Sequence, residues 1–169
     1  MQVTQLQDLT RFQESVVALI PRLRRFTVAV AGNLPDGDDL LQSTVERALM
    51  RHETYKPDKK LQSWLFKIAQ NIWIDQKRSE ARRGQMEDIT DRTDIIGEDG
   101  REKMETIEMT KNVMAVIAEL PEPQRLVVAH ILVDGQSYKE AAEILDVPVG
   151  TIMSRLSRAR KALERQILA

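Results

Sequence analysis

The chain has 169 residues, enough for one domain or two small ones with modest cores. It is 42% hydrophobic and 30% charged but only 4% aromatic, and few stretches alternate as strands do, so the expected fold class is all-α. There is no cysteine, which excludes disulfides, zinc–thiolate sites and thiol redox chemistry, and no apolar run approaches the length of a membrane span. With no signal-peptide pattern at its start, the chain is expected to be soluble and cytoplasmic, with no membrane insertion of its own.

The net charge of −1 hides a segregation along the chain. Residues 1–84 carry 14 Lys/Arg against 10 Asp/Glu, residues 85–108 carry 3 against 9, and residues 109–169 carry 8 against 7. Two basic-leaning ends flank an acidic middle, the pattern of two polyanion-facing modules joined by a linker that avoids the polyanion. The expected division is a domain over 1–84, an acidic linker over 85–103 and a second domain over 104–169.

Leu9, Phe12, Val16, Leu19, Leu23, Phe26 and Val30 recur at the helical period, with Pro21 expected to start a second helix and Gly32-Asn33 to end it. Leu34-Pro35-Asp36-Gly37 reads as a turn, after which Asp36 or Asp38 caps a third helix. Leu41, Thr44, Val45, Ala48 and Leu49 form its buried stripe, and Asp39, Gln42, Ser43, Glu46 and Arg47 its other face. A basic loop from Tyr55 to Lys60, with Lys56 and Lys59, leads into a long helix from about Leu61 to Arg83. Leu61, Leu65, Ile68, Ala69 and Ile72 face inward, with Trp64 and Trp73 on the shoulders. Ser63, Lys67, Gln70, Asn71, Ile74, Lys77 and Arg78 face outward, and an isoleucine amid polar residues suggests that this face meets something.

Beyond the acidic, glycine-containing segment, Met104, Ile107, Val113, Met114, Ile117 and Leu120 begin another helix, stopped by Pro121. Pro123 restarts one in which Leu126, Val127, Ile131 and Leu132 are expected to be buried. Ser137 and Glu140 fit a capping box, Ala141, Ala142, Ile144 and Leu145 make a closely packing helix, and Asp146-Val147-Pro148 breaks it. From Val149, Ile152, Leu156, Ala159 and Leu163 form a buried stripe; the opposite face carries Thr151, Ser154, Ser157, Arg158 and Lys161, with Arg155 on its flank. Two short helices with hydroxyls and arginines on the outward face of the second are what a major-groove reader needs, although a basic amphipathic helix is also a common solvated face.

The stretches DDLLQSTVERAL (38–49), LQSWLFKIAQNIWIDQKR (61–78), LPEPQRLVVAHILVDGQSYKEAAEIL (120–145) and VPVGTIMSRLSRARKAL (147–163) together resemble bacterial sigma factors of the extracytoplasmic-function (ECF) type. The resemblance implies two small helical domains joined by a flexible linker, acting with core RNA polymerase on promoter DNA, with an anti-sigma factor as a further partner. An alternative sigma factor of a stress or envelope response is the function it implies. Asp39, Gln42, Ser43 and Glu46 would then face the polymerase, with Ser43 standing where the family often has glutamate. Lys56, Lys59, Lys60, Ser63, Trp64, Lys67, Asn71, Ile74, Lys77 and Arg78 would hold the minus-ten strand; Thr151, Ser154, Arg155, Ser157, Arg158 and Lys161 would read the upstream duplex. Asp146 replaces a common glycine in the family's turn, and aspartate tolerates the left-handed conformation better than most residues.

Three other functions compete with this one. A sigma-like decoy for an anti-sigma factor need not keep basic faces, and an ordinary helix-turn-helix regulator leaves the 38–78 pattern without a role. An enzyme is disfavoured, because His52 and His130 stand alone in their segments and no carboxylates cluster at metal-ligand spacing. No cofactor is expected.

Overall fold

The computed structural model describes residues 2–84 and 112–167, so the acidic stretch 85–103, with Met104 and Ile107, lies outside the described residues. Every regular element described is helical: α1 (Gln2–Ala31), α2 (Leu34–Met50), α3 (Leu61–Gly84), α4 (residues 112–118), α5 (Glu122–Val128), α6 (Tyr138–Leu145) and α7 (Val149–Ile167). A single 3-10 turn, His52–Thr54, precedes the 55–60 loop, and a π-turn, Ala129–Val133, extends α5.

Pro21 does not divide the first helix; α1 runs through it. The lost N–H would leave the Val17 carbonyl unpaired, but Val17 and Pro21 are both exposed, so water can take the place of the helical donor. Gly32 ends α1 at φ +83°, a conformation that favours glycine. The expected turn over 34–37 is instead the start of α2. Its cap is Asn33, whose side chain accepts from the Asp36 N–H at 2.8 Å, and neither Asp36 nor Asp38 caps it. Asp38 pairs with Arg24 on α1 at 2.6 Å, and the guanidinium holds its carboxyl below the ordinary value.

Gly37 is a packing residue. A Cβ there would lie 2.6 Å from the Val28 Cα, so the crossing of α1 and α2 requires a residue without one. Thr44 and Ala48 of the stripe read from the sequence continue that buried line together with Leu40, while Leu41, Val45 and Leu49 are half-buried. On α3, Leu65, Phe66, Ala69, Ile72 and Trp73 are buried; so is Gln70, which the sequence pattern assigns to the outward face.

The sequence pattern does not orient the two halves of the chain, and in the structure they share a core. Leu126 and Ala129 of the α5–π segment and Ile144 of α6 join Leu23, Phe26, Leu65 and Phe66 in one buried cluster. Phe26 stacks on Phe66 at 4.4 Å between ring centroids, and His130 lies 4.6 Å from Phe26. Gly32 again allows close approach, here to Ala118 of α4. The π-turn explains why Leu132 is exposed and not buried: the wider turn changes the angular phase of the residues after 129 and brings His130 inward instead.

The helix-turn-helix forms as its residues dictate. Ser137 Oγ accepts from the Glu140 N–H at 3.2 Å, and a Glu140 carboxylate oxygen accepts from the Ser137 N–H at 3.0 Å. Asp146 ends α6 in the left-handed region, at φ 53° and ψ 49°. Replacing Gly37 with alanine is expected to destabilise the fold by about 1–3 kcal/mol through backbone overlap with Val28. Alanine at Gly150, where nothing approaches within 4 Å, should be neutral or stabilising by a few tenths to about 1 kcal/mol. Urea unfolding of the two variants tests the difference.

Candidate nucleic-acid interface

The outward face of α7 follows from what its other face buries. Ile152 and Leu156 pack with Val127, Ala141 and Ala142, and Ala159 packs with Ile117, Leu120 and Val128. Ser154, Ser157, Arg158 and Lys161 are therefore exposed together, whereas Thr151 and Arg155 are half-buried at the edges. Two further residues flank this face on the side of Ser157: Arg160 is exposed, and Met153 is 54% exposed.

On α3, Lys67, Asn71 and Arg78 are exposed, and Ser63, Trp64, Ile74 and Lys77 are half-buried. Asn71, Ile74 and Arg78 line a cleft of about 380 Å³ with Arg47 and Arg51 of the neighbouring α2 segment. None of these three arginines forms an ion pair among the described residues. Arg47, on the outward face of α2 by its period, and Arg51 are brought to Asn71 only by the tertiary packing of α2 against α3. Lys77 is already engaged, lying 4.5 Å from the Trp73 ring centroid and pairing with Glu80 at 2.8 Å.

The 55–60 loop is held by the Tyr55 hydroxyl, which donates to the Lys59 carbonyl at 2.7 Å. Tyr55, Trp64 and Phe12 form an aromatic triangle with centroid separations of 5.4 to 6.1 Å. Phe12, His52 and Tyr55 also line an open cleft of about 1190 Å³ between α1 and this loop. Lys56, Lys59 and Lys60 of this loop are exposed. On α2, Asp39, Gln42 and Glu46 form an exposed line with Ser43 half-buried beside them, and Met50, 78% exposed, extends it.

Between the halves lies a polar network around Asp134, whose side chain is fully buried. Arg22 of α1 donates to its carboxylate at 2.5 and 3.3 Å and to its backbone carbonyl at 3.0 Å. Gln62 of α3 donates at 2.9 Å and Gln136 at 2.8 Å. Because Gln136 gives its amide N–H to Asp134, its carbonyl oxygen faces His130 Nδ1 at 3.1 Å, so that nitrogen carries the imidazole proton. His130 Nε2 is buried with no partner, and burial lowers its pKa to about 4 against the smaller opposing effect of Gln136. Lys60 pairs with Glu140, whose pKa falls to about 2, chiefly through Lys60 and then through Ser137.

Residues 110–163 match the family model described as sigma-70, region 4, and residues 16–70 match the Sigma2 domain of PhyR. The ECF RNA polymerase sigma factor EcfG of Rhodopseudomonas palustris (strain TIE-1) is 32% identical over 151 residues, covering 89% of this chain and 82% of that protein. This chain belongs to the ECF RNA polymerase sigma factor family. The ECF sigma factor SigW of Bacillus subtilis (strain 168) is 27% identical over 170 residues, covering 95% of this chain and 90% of that one. Among solved structures, the sigma factor RpoE of Bartonella quintana, co-crystallised with the anti-sigma factor NepR, superposes with a TM-score of 0.75 at 25% identity, covering 94% and 98% of the two chains. The region 4 match of this ECF sigma factor takes in both helices of the helix-turn-helix, and the PhyR-type match takes in α2, the 55–60 loop and the first turns of α3.

The buried imidazole should make the folding stability of this sigma factor sensitive to acid. His130 takes up a proton near its ordinary value of 6.5 when unfolded but only near 4 when folded, so stability is full above 6.5 and falls as pH drops towards 4. Between pH 7.5 and 5 the expected loss is about 2 kcal/mol, in a window where the Glu140 carboxyl barely titrates. His130→Phe should flatten that part of the profile, as read from urea midpoints across the window.

Proposed function

We propose that this ECF sigma factor binds core RNA polymerase through Asp39, Gln42, Ser43 and Glu46 of α2 and directs it to promoters. The exposed face of α7 reads the upstream duplex, with Ser154, Ser157, Arg158 and Lys161 at its centre and Thr151 and Arg155 at its edges. Lys56, Lys59, Lys60, Ser63, Trp64, Lys67, Asn71, Ile74, Lys77 and Arg78, from the loop and α3, hold the opened minus-ten strand. The observation that carries this reading is α7 itself: an arginine, a lysine and two hydroxyls exposed together on the second helix of a capped helix-turn-helix. Side chains of these types supply both base-edge and phosphate contacts.

Residues 1–84 and 104–169 act as separate modules in this mechanism, joined by 85–103. A compact chain of this length has a radius of gyration of about 15 Å. Elements centred about 25 base pairs apart lie about 85 Å apart along a duplex. The closed arrangement therefore cannot engage both elements at once, and binding to polymerase must accompany separation of the halves. The protein is a cytoplasmic initiation factor and not an enzyme, and among its described residues no helix is long and apolar enough to cross a membrane. An anti-sigma factor, the class of partner seen with RpoE, would keep it inactive until an envelope or general stress releases it.

In vitro transcription with core polymerase and a genomic promoter library tests the activity. Arg158→Ala should weaken binding of upstream duplex by about 1–3 kcal/mol if it reads a base, or give a shallower salt dependence if it holds a phosphate. Lys67→Ala or Asn71→Ala should leave duplex binding intact but reduce permanganate-reactive opening by the holoenzyme. Capture of an anti-sigma factor with no transcription from any template would favour the decoy reading instead.

A further inference from the structure

Arg22 belongs to none of the surfaces described above, yet it makes the most extensive polar contact between the halves. Its guanidinium and the Gln62 amide converge on Asp134, and two residues before Gln62 the Lys60 ammonium meets Glu140. All three donors come from the first half, and both carboxylates come from the second. The donors lie at the rim of the shared core, with the side chain of Arg22 39% exposed and that of Lys60 73% exposed. A guanidinium fork, an amide and an ammonium form an oxyanion-binding set, suited to the oxygens of a phosphodiester as well as to those of a carboxylate. Lys60 belongs to the same loop as the exposed Lys56 and Lys59.

We propose that Arg22, Gln62 and Lys60 form a strip that holds successive phosphates of single-stranded DNA, and that Asp134 and Glu140 occupy this strip in the closed chain. The inference rests on the reading of the 55–60 loop as a strand-binding element and adds Arg22 and Gln62 to it. Closure and strand capture then exclude one another: the carboxylates of the second half stand where the DNA backbone would lie. A free sigma factor is thereby kept from single-stranded DNA by its own side chains, and the strip becomes available when the halves separate.

The test uses the full chain and a labelled oligo(dT) of about twelve nucleotides, with small-angle scattering to report separation of the halves. Asp134→Asn combined with Glu140→Gln should expand the chain and tighten oligo(dT) binding roughly tenfold at low salt, with a steeper salt dependence. Ala118→Leu, which wedges the halves apart at Gly32 without altering the strip, should do the same. Adding Arg22→Ala to either opened form should reduce the slope of log K against log salt by about 0.7, one phosphate's worth on a single strand. Equal oligo(dT) binding by every form, or an unchanged slope without Arg22, overturns the proposal. If permanganate-reactive opening by the holoenzyme persists alongside such a result, the sigma-factor reading stands and only the strip falls; if opening is lost as well, both fall.

Discussion

The arrangement of this chain depends on one buried carboxylate. Asp134 has no exposed side-chain surface, and its charge is met by Arg22, Gln62 and Gln136 together. A buried charge left without its partner costs on the order of 3–5 kcal/mol, so these donors must be in place whenever the halves are together. Two of the three come from the first half, and the third passes the constraint on to His130. The imidazole is thereby held as one neutral tautomer among Phe26, Phe66 and Gln136. The π-turn is part of the same arrangement, because the Asp134 N–H reaches back to the Ala129 carbonyl at 3.0 Å and Gly135 closes the segment at φ +74°.

Such an interface is selective more than it is strong. Ion pairs of this kind add little net energy over well-packed apolar residues, but they specify one register because every misaligned alternative buries an unmatched group. The apolar part, Phe26 on Phe66 with Ala129 and Ile144 behind them, supplies the attraction. The polar part determines which surfaces meet. At the rim, the exposed Lys60–Glu140 pair contributes little to stability and much to long-range steering, and it is weakened by salt.

Charge is distributed in two ways over the basic faces. Lys67, Arg78, Arg158 and Lys161 project into solvent, where a polyanion can reach them. Lys77 and Arg125 are also engaged within the protein: Lys77 lies over the Trp73 ring, and Arg125 bonds the Ala118 carbonyl at 2.9 Å while its guanidinium lies 5.9 Å from the same ring. Sequence composition cannot separate these two kinds of cation, since both occur on amphipathic helices at similar spacing.

The helices themselves were legible because each is determined by interactions within a few residues. The Ser137–Glu140 box, the left-handed Asp146 and the period of Ile152, Leu156 and Ala159 all act locally, and together they yield the helix-turn-helix and its outward face. The ECF resemblance was legible for the same reason, carried by contiguous stretches. Local rules failed where a distant neighbour intervened. Gly37 reads as a turn residue until Val28 lies against it, Pro21 reads as a helix start until both it and Val17 face water, and Leu132 reads as core until the π-turn rotates it out. The cleft joining Arg47 and Arg51 to Asn71, and the network binding Arg22 to Asp134 across 112 positions, were decided only by tertiary structure. A side chain's period shows which face of its helix it occupies, but only packing determines what that face meets.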